Sequence, residues 1–269
     1  MPSKIIFLGT AGDSFVLSKL QRTAAGIIIE HDETQIHINP GPNSLLRANL
    51  SGIDSRKTKV VIITDNTLLH AHDANAVIDA MTIGGFDRNG LLLAPKPALN
   101  GTRADPASIF PFYQASVEKV VQISDGNKVN YNNIQIIAVK IKNSDPDAIG
   151  LKIITPSFSL GYTSKTKYAS LVRESFKGVE ILILELPLFA LKKSEDGLSL
   201  AEAERLISEV KPKVAVLTGF GIEILKQDIL EITRNMNRRT NIQIIAANDG
   251  FSFDPTSYAV KLRQKRLSF

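Results

Sequence analysis

The stretch TDNTLLHAHDAN, residues 64–75, holds His70 and His72 one residue apart, with Asp73 directly after them. It follows the apolar run Lys59-Val60-Val61-Ile62-Ile63. Imidazoles and a carboxylate gathered at the end of a strand are the ligand types that a zinc-class ion prefers. The chain has no cysteine, which excludes disulfides, thiolate metal sites and cysteine nucleophiles together. Any transition metal would rest on His, Asp and Glu, and His31, His37, His70 and His72 are the whole histidine supply.

The elements that would position these residues are legible as short apolar runs. Lys4–Leu8, Gly26–Glu30 and Gln35–Ile38 read as closely spaced strands, with Asp32-Glu33 as the turn between the last two. Lys59–Ile63 reads as a strand buried on both faces, and 75–81 (NAVIDAM) has helical spacing. Leu91–Ala94 and Val117–Ile123 are further strands. The Pro/Gly-rich segment PKPALNGTRADPASIFP between them is a loop of the kind that carries function or covers a site. In the second half, Val129–Val139, Ile149–Ile154, Glu180–Leu184, Lys213–Leu217 and Ile242–Ala246 read as strands. Tyr168–Phe176, Ser199–Val210 and Ile222–Asn235 read as helices, the middle one opened by a Ser199/Glu202 capping box. The pattern predicts two sheets with helices outside, a layered domain over 1–256 followed by a basic tail over 257–269.

At 269 residues, 43% apolar and 22% charged, the chain is long enough for a large core. No apolar run reaches the roughly 18–20 residues of a membrane span, so no membrane partner is expected. The first strand-like run is shorter than a signal peptide's. A cytoplasmic location is expected. The net charge of +5 permits an anionic partner without requiring one.

Seven segments in order resemble the metallo-β-lactamase superfamily: FLGTAGDS (7–14), INPGPNSLLRA (38–48), the stretch at 64–75, SDPDAIGLKI (144–153), LGYTSKT (160–166), LTGFG (217–221) and ANDGFSF (247–253). The resemblance implies an α/β (α+β) chain folded as a four-layered αββα sandwich. It also implies a metal motif directly after a strand, Thr or Ser then His-x-His-x-Asp-His, with later ligands near an Asp-Pro, in a Gly-Asp-Thr-like turn and before Phe-Gly. Two zinc-type ions there would activate a water.

Laid on that motif from Thr64, the ligand positions fall on Asp65, Thr67, Leu69 and His70, and the NAVIDAM helix follows at the family's distance. The later positions fall on Asn143 (or Lys142), Lys165 and Gly219, while the usual aspartate of DPGP is Asn39. Starting instead at His70 and His72 puts the expected acid and last histidine on Ala74 and Asn75, too far from the strand. The resemblance therefore implies a degenerate site with zinc binding lost.

Four local expectations accompany this reading. The Lys165 ammonium pairs with Asp65 in place of the metal. His31 and His37 sit at strand ends with surface roles, and His72 and Asp73 face solvent or cap a helix. His70 is a hydrogen-bonded histidine worth about 1 kcal/mol. Asp249-Gly250 is a structural or functional turn. Function is expected to be that of a non-catalytic pseudoenzyme that binds a small anionic ligand, through Lys165, Thr67 and Asn143, or a protein partner. The alternatives are a metal-dependent hydrolase or phosphodiesterase with an unusual site, and a nucleic-acid-associated protein using Lys261, Arg263, Lys265 and Arg266.

Overall fold

A computed structural model describes residues 3–191, 195–258 and 260–261. The chain lays down β1 (Lys4–Phe7), β2 (Ile27–His31), β3 (Thr34–Ile38), β4 (Thr58–Ile62), β5 (Leu91–Ala94) and β6 (Lys119–Gln122) in one sheet. It crosses to a second sheet of β7 (Lys128–Tyr131), β8 (Ile134–Lys140), β9 (Ile149–Ile154), β10 (Ser159–Tyr162), β11 (Ile181–Glu185), β12 (Val214–Thr218) and β13 (Gln243–Ala246). β14 (Phe251–Phe253) and β15 (Val260–Lys261) then return to the first sheet beside β1. The strand orders are β15-β14-β1-β2-β3-β4-β5-β6 and β13-β12-β11-β10-β9-β8-β7.

Alternation along β4 makes the layers. Val60 and Ile62 point into a core shared with the other sheet, where Ile136, Leu151, Leu160, Ile183 and Val216 meet them. Val61 and Ile63 point outward, against Val77, Ile78 and Met81 of the helix Ala74–Thr82. In the second sheet Leu182, Leu184 and Leu217 face the opposite way, onto Ala203, Leu206 and Ile207 of the helix Leu200–Val210. Each sheet thus buries both faces, the condition under which parallel strands read as continuous apolar runs. The result is the expected helix–sheet–sheet–helix sandwich. The capping box of Ser199 and Glu202 opens the second of these helices.

Two elements and two histidines differ from the sequence reading. Val129–Val139 is a hairpin rather than one strand, because Asn132 turns the chain at φ 51°, a conformation asparagine tolerates. Ile222–Asn235 is broken into Ile222–Leu225 and Ile229–Thr240, since the Asp228 carboxylate caps the Glu231 N–H and starts a new helix. His31 and His37 are buried rather than at the surface. His31 Nδ1 meets Ser3 Oγ at 2.8 Å, and His37 Nε2 meets the Ala25 carbonyl at 2.9 Å. Burial drives the His37 imidazole down to about 4 despite that hydrogen bond.

The basic tail lies for the most part outside the described residues. Lys261 is in β15, while Arg263, Lys265 and Arg266 are beyond it. Among the described residues, no helix is long and apolar enough to cross a membrane.

Candidate functional site

Parallel strands deliver their carboxyl ends to one side of the sandwich. There β3 runs into Asn39, β4 into Thr64 and Asp65, β10 into Ser164 and Lys165, β11 ends at Glu185, and β12 leads into Gly219. Ligand sites in open α/β sheets form at such ends.

The centre of this convergence is a buried ionic triad. His70 Nδ1 lies 2.5 Å from Asp65 Oδ2, and its Nε2 lies 3.0 Å from Glu185 Oε1. Asp65 also accepts from the Thr67 N–H at 2.9 Å and the Thr67 hydroxyl at 2.6 Å, a local turn that presents His70 from the short helix Leu68–Ala71. The Ser164 hydroxyl is a weaker fourth donor at 3.5 Å. On the far side, the Tyr162 hydroxyl donates to Glu185.

Both carboxylates accept, so the ring between them must donate from both nitrogens, which only the imidazolium does. Burial opposes its charge, but Asp65 and Glu185 outweigh it and hold His70 up at about 10. Burial likewise opposes ionisation of Asp65, yet the His70 charge and the Thr67 and His70 hydrogen bonds bring it down to about 2. Glu185 is lowered in the same way, against its burial, mainly by His70. Tyr162 is raised well above its ordinary value by burial and then by Glu185, so it remains a donor.

Asn39 completes the network. Its amide donates to Thr64 Oγ1 at 2.7 Å and to the Tyr162 oxygen at 3.0 Å, while its carbonyl accepts the Thr64 N–H at 2.9 Å. An aspartate could not donate to Tyr162, whose own proton goes to Glu185. Gly219 has a matching role. At φ +58°, an added Cβ would stand 2.8 Å from Glu185 Cγ, so glycine is what admits the Glu185 side chain. A residual cavity of about 20 Å³ remains, lined in part by Leu69, His70, Glu185 and Gly219. That is room for about one water.

The sequence matches no family model. An uncharacterized protein of Methanocaldococcus jannaschii is 25% identical over 256 residues, 94% of this chain and 96% of that one. Among solved structures, the metallo-β-lactamase fold protein YhfI from Bacillus subtilis superposes with a TM-score of 0.75 at 15% identity, over 94% of this chain and 99% of that one. The chain has the metallo-β-lactamase fold. A new diphosphatase from the PhnP family is also similar, with a TM-score of 0.71 at 15% identity over 94% and 97% of the two chains.

Within the metallo-β-lactamase fold, the seven positions read from the sequence separate into three groups. Asp65, Thr67 and His70 form one hydrogen-bonded cluster. Leu69 and Gly219 line the residual cavity. Asn143 and Lys165 are joined to each other, the Asn143 amide donating to the Lys165 carbonyl at 2.5 Å. The expected Lys165–Asp65 ion pair is not formed; Asp65 is paired with His70. The physical reason is reach and solvation. His70 lies on the turn that Asp65 itself closes, and an imidazole is cheaper to bury than an ammonium.

The zinc-type ions that the fold family implies need three or four N or O donors apiece. The side chains standing at those positions do not fit one. Asp65 and His70 bind each other, both nitrogens of His70 are taken, and Leu69, Lys165 and Gly219 supply no lone pair for a cation. Thr67 and Asn143 offer only neutral oxygens, and that of Asn143 already accepts the Asp145 N–H at 2.8 Å.

Sequence reasoning missed Glu185 and Tyr162. A signal for Glu185 was present: it is the lone charge in the apolar stretch ILILELPL, 181–188, and a carboxylate in a buried strand needs a partner. Asp73 stands at the start of the helix Ala74–Thr82, but its carboxylate accepts from the Ser44 N–H at 2.9 Å and meets the exposed His72 ring at 2.7 Å. Asp249 is a structural staple. It accepts from Thr10 Oγ1 and from the N–H and hydroxyl of Thr23, tying the turn before β14 to the first loop.

Proposed function

We propose that this protein is a non-catalytic metallo-β-lactamase-fold protein that has lost zinc binding and acts by binding a partner. One observation carries the reading: both ring nitrogens of His70 are engaged by Asp65 and Glu185. A histidine so held has no lone pair for a metal. The imidazolium takes the place of the cation that would otherwise neutralise converging carboxylates. Catalysis in this fold relies on the metal for both nucleophile and charge stabilisation, and the hydroxyls described at the strand ends, Thr67 and Ser164, face an Asp65 that His70 holds ionised at about 2, too weak a base to activate them.

Elemental analysis of protein grown with zinc, manganese and iron tests the reading, together with a turnover screen on a generic phosphodiester. The expected result is well below about one equivalent of metal, no change in Tm with a chelator, and no turnover. Stoichiometric metal whose removal lowers Tm, or turnover abolished by His70→Ala, would overturn it. That outcome would favour the second reading, a phosphate-ester hydrolase, for which the structural likeness to a diphosphatase of the PhnP family is the support.

A further inference from the structure

The proline-rich loop singled out from the sequence has no part in the triad, but it forms one wall of a broad surface groove. A groove of about 800 Å³ runs between the loop 105–110 and the outer face of the helices 68–71 and 74–82. Leu68 and Phe110, both more than half exposed, stand at its walls with Tyr113. The walls are held in place. The Asn66 amide donates to the Pro106 carbonyl at 3.1 Å and accepts from the Ser108 hydroxyl. The Asn75 amide donates to the Ser108 carbonyl at 2.7 Å and accepts the Phe110 N–H at 3.0 Å. Two asparagines thus clamp a surface loop that buries Ile109 and leaves the Phe110 side chain in solvent.

The charge around the groove has one sign. Asp73, Asp79 and Asp105 line it, and no lysine or arginine does, although the chain carries a net charge of +5. Asp73 meets His72, but Asp79 and Asp105 have no ion-pair partner among the described residues. An acidic rim repels nucleic acid and acidic membranes alike. A clamped, apolar and open groove suits an amphipathic segment, with apolar anchors on its floor and cations on its rim.

We infer that this groove is the protein's partner-binding surface and that its occupant is a basic amphipathic peptide segment of another protein. The inference rests on the binding-protein reading above, yet the groove lies outside the triad, so the two fail separately. The probe is a fluorescein-labelled peptide of repeating Leu-Lys-Lys-Leu pattern, with a control in which every Lys is Glu, titrated by anisotropy against the full chain. Saturable binding of the lysine peptide alone is expected, weakened about tenfold or more by the double change Asp79→Lys with Asp105→Lys. The isosteric pair Asp79→Asn with Asp105→Asn, checked for unchanged Tm, should weaken it in the same direction if the charge reversal misfolds. Equal binding of both peptides, or no loss in the folded variants, would overturn the inference. So would RNA competing for the groove, or a self-association of the chain that the variants abolish. Metal-dependent turnover with intact peptide binding would instead sink only the non-catalytic reading.

Discussion

Replacing His70 by alanine leaves Asp65 and Glu185 as two buried carboxylates with no cation between them. The sequence-based expectation of about 1 kcal/mol treats His70 as one ordinary hydrogen bond. The structure makes it the hub of a buried triad. Its rise from 6.5 to about 10, at about 1.4 kcal/mol per pH unit, corresponds to about 5 kcal/mol for the net interaction of the charged ring after its burial cost. Breaking a buried pair by removing one partner costs about 3–5 kcal/mol, because the remaining charge is uncompensated. The two routes agree, and we expect His70→Ala to lose about 3–5 kcal/mol near neutral pH. In the variant, burial and mutual repulsion raise both carboxyls, so acidification neutralises them. The loss should then shrink as pH falls toward 4 and grow again toward 7. Urea unfolding of both proteins at several pH values measures this, and adding Glu185→Gln to the variant should recover part of the loss. A pH-independent loss below about 1 kcal/mol would refute the imidazolium triad.

The wild-type protein should be most stable near pH 6–7. His37, held at about 4 in the fold, is neutral there while its unfolded counterpart protonates below 6.5, so stability falls between those values on acidification. His70 has the opposite sign: its contribution is complete below 6.5 and is lost as pH rises through about 10. Thermal melts across this range test both limbs; His37→Gln should flatten the acid limb, and a wild-type optimum above pH 9 would contradict the assignment. Asp65 adds stability that persists above its ordinary value of 3.8 and is lost as pH falls through about 2, so Asp65→Asn should remove part of the steep loss in that lowest range. Gly219→Ala should cost about 2–4 kcal/mol, from the left-handed backbone and the contact at 2.8 Å with Glu185; a change within about 0.5 kcal/mol in urea unfolding would show that Glu185 is free to move aside.

Much of this molecule was legible in one dimension because the relevant physics is local. Alternation and apolar runs place β4, β11 and β12, since a strand buried on both faces admits little else, and the Ser199–Glu202 spacing opens a helix wherever it is put. The order of seven short segments pointed to the sandwich, and the absence of ligand-type side chains at Leu69, Lys165 and Gly219 is a property of residue types alone. The charge partner of Asp65 was not legible. Lys165 and His70 are both cations on paper, and only the turn closed by Asp65 and Thr67 decides which one arrives within 2.5 Å. Glu185 lies far along the chain from His70 and reaches it because β4 and β11 end on the same side of the sandwich. The burial of His31 and His37 was hidden for the same reason, since pairing of β1 with β2, of β2 with β3 and of β4 with β3 covers strand ends that look exposed in sequence. Residue types state what each position is able to do; the convergence of strand ends selects the partners, because a buried charge is defined by what stands within a few ångströms of it.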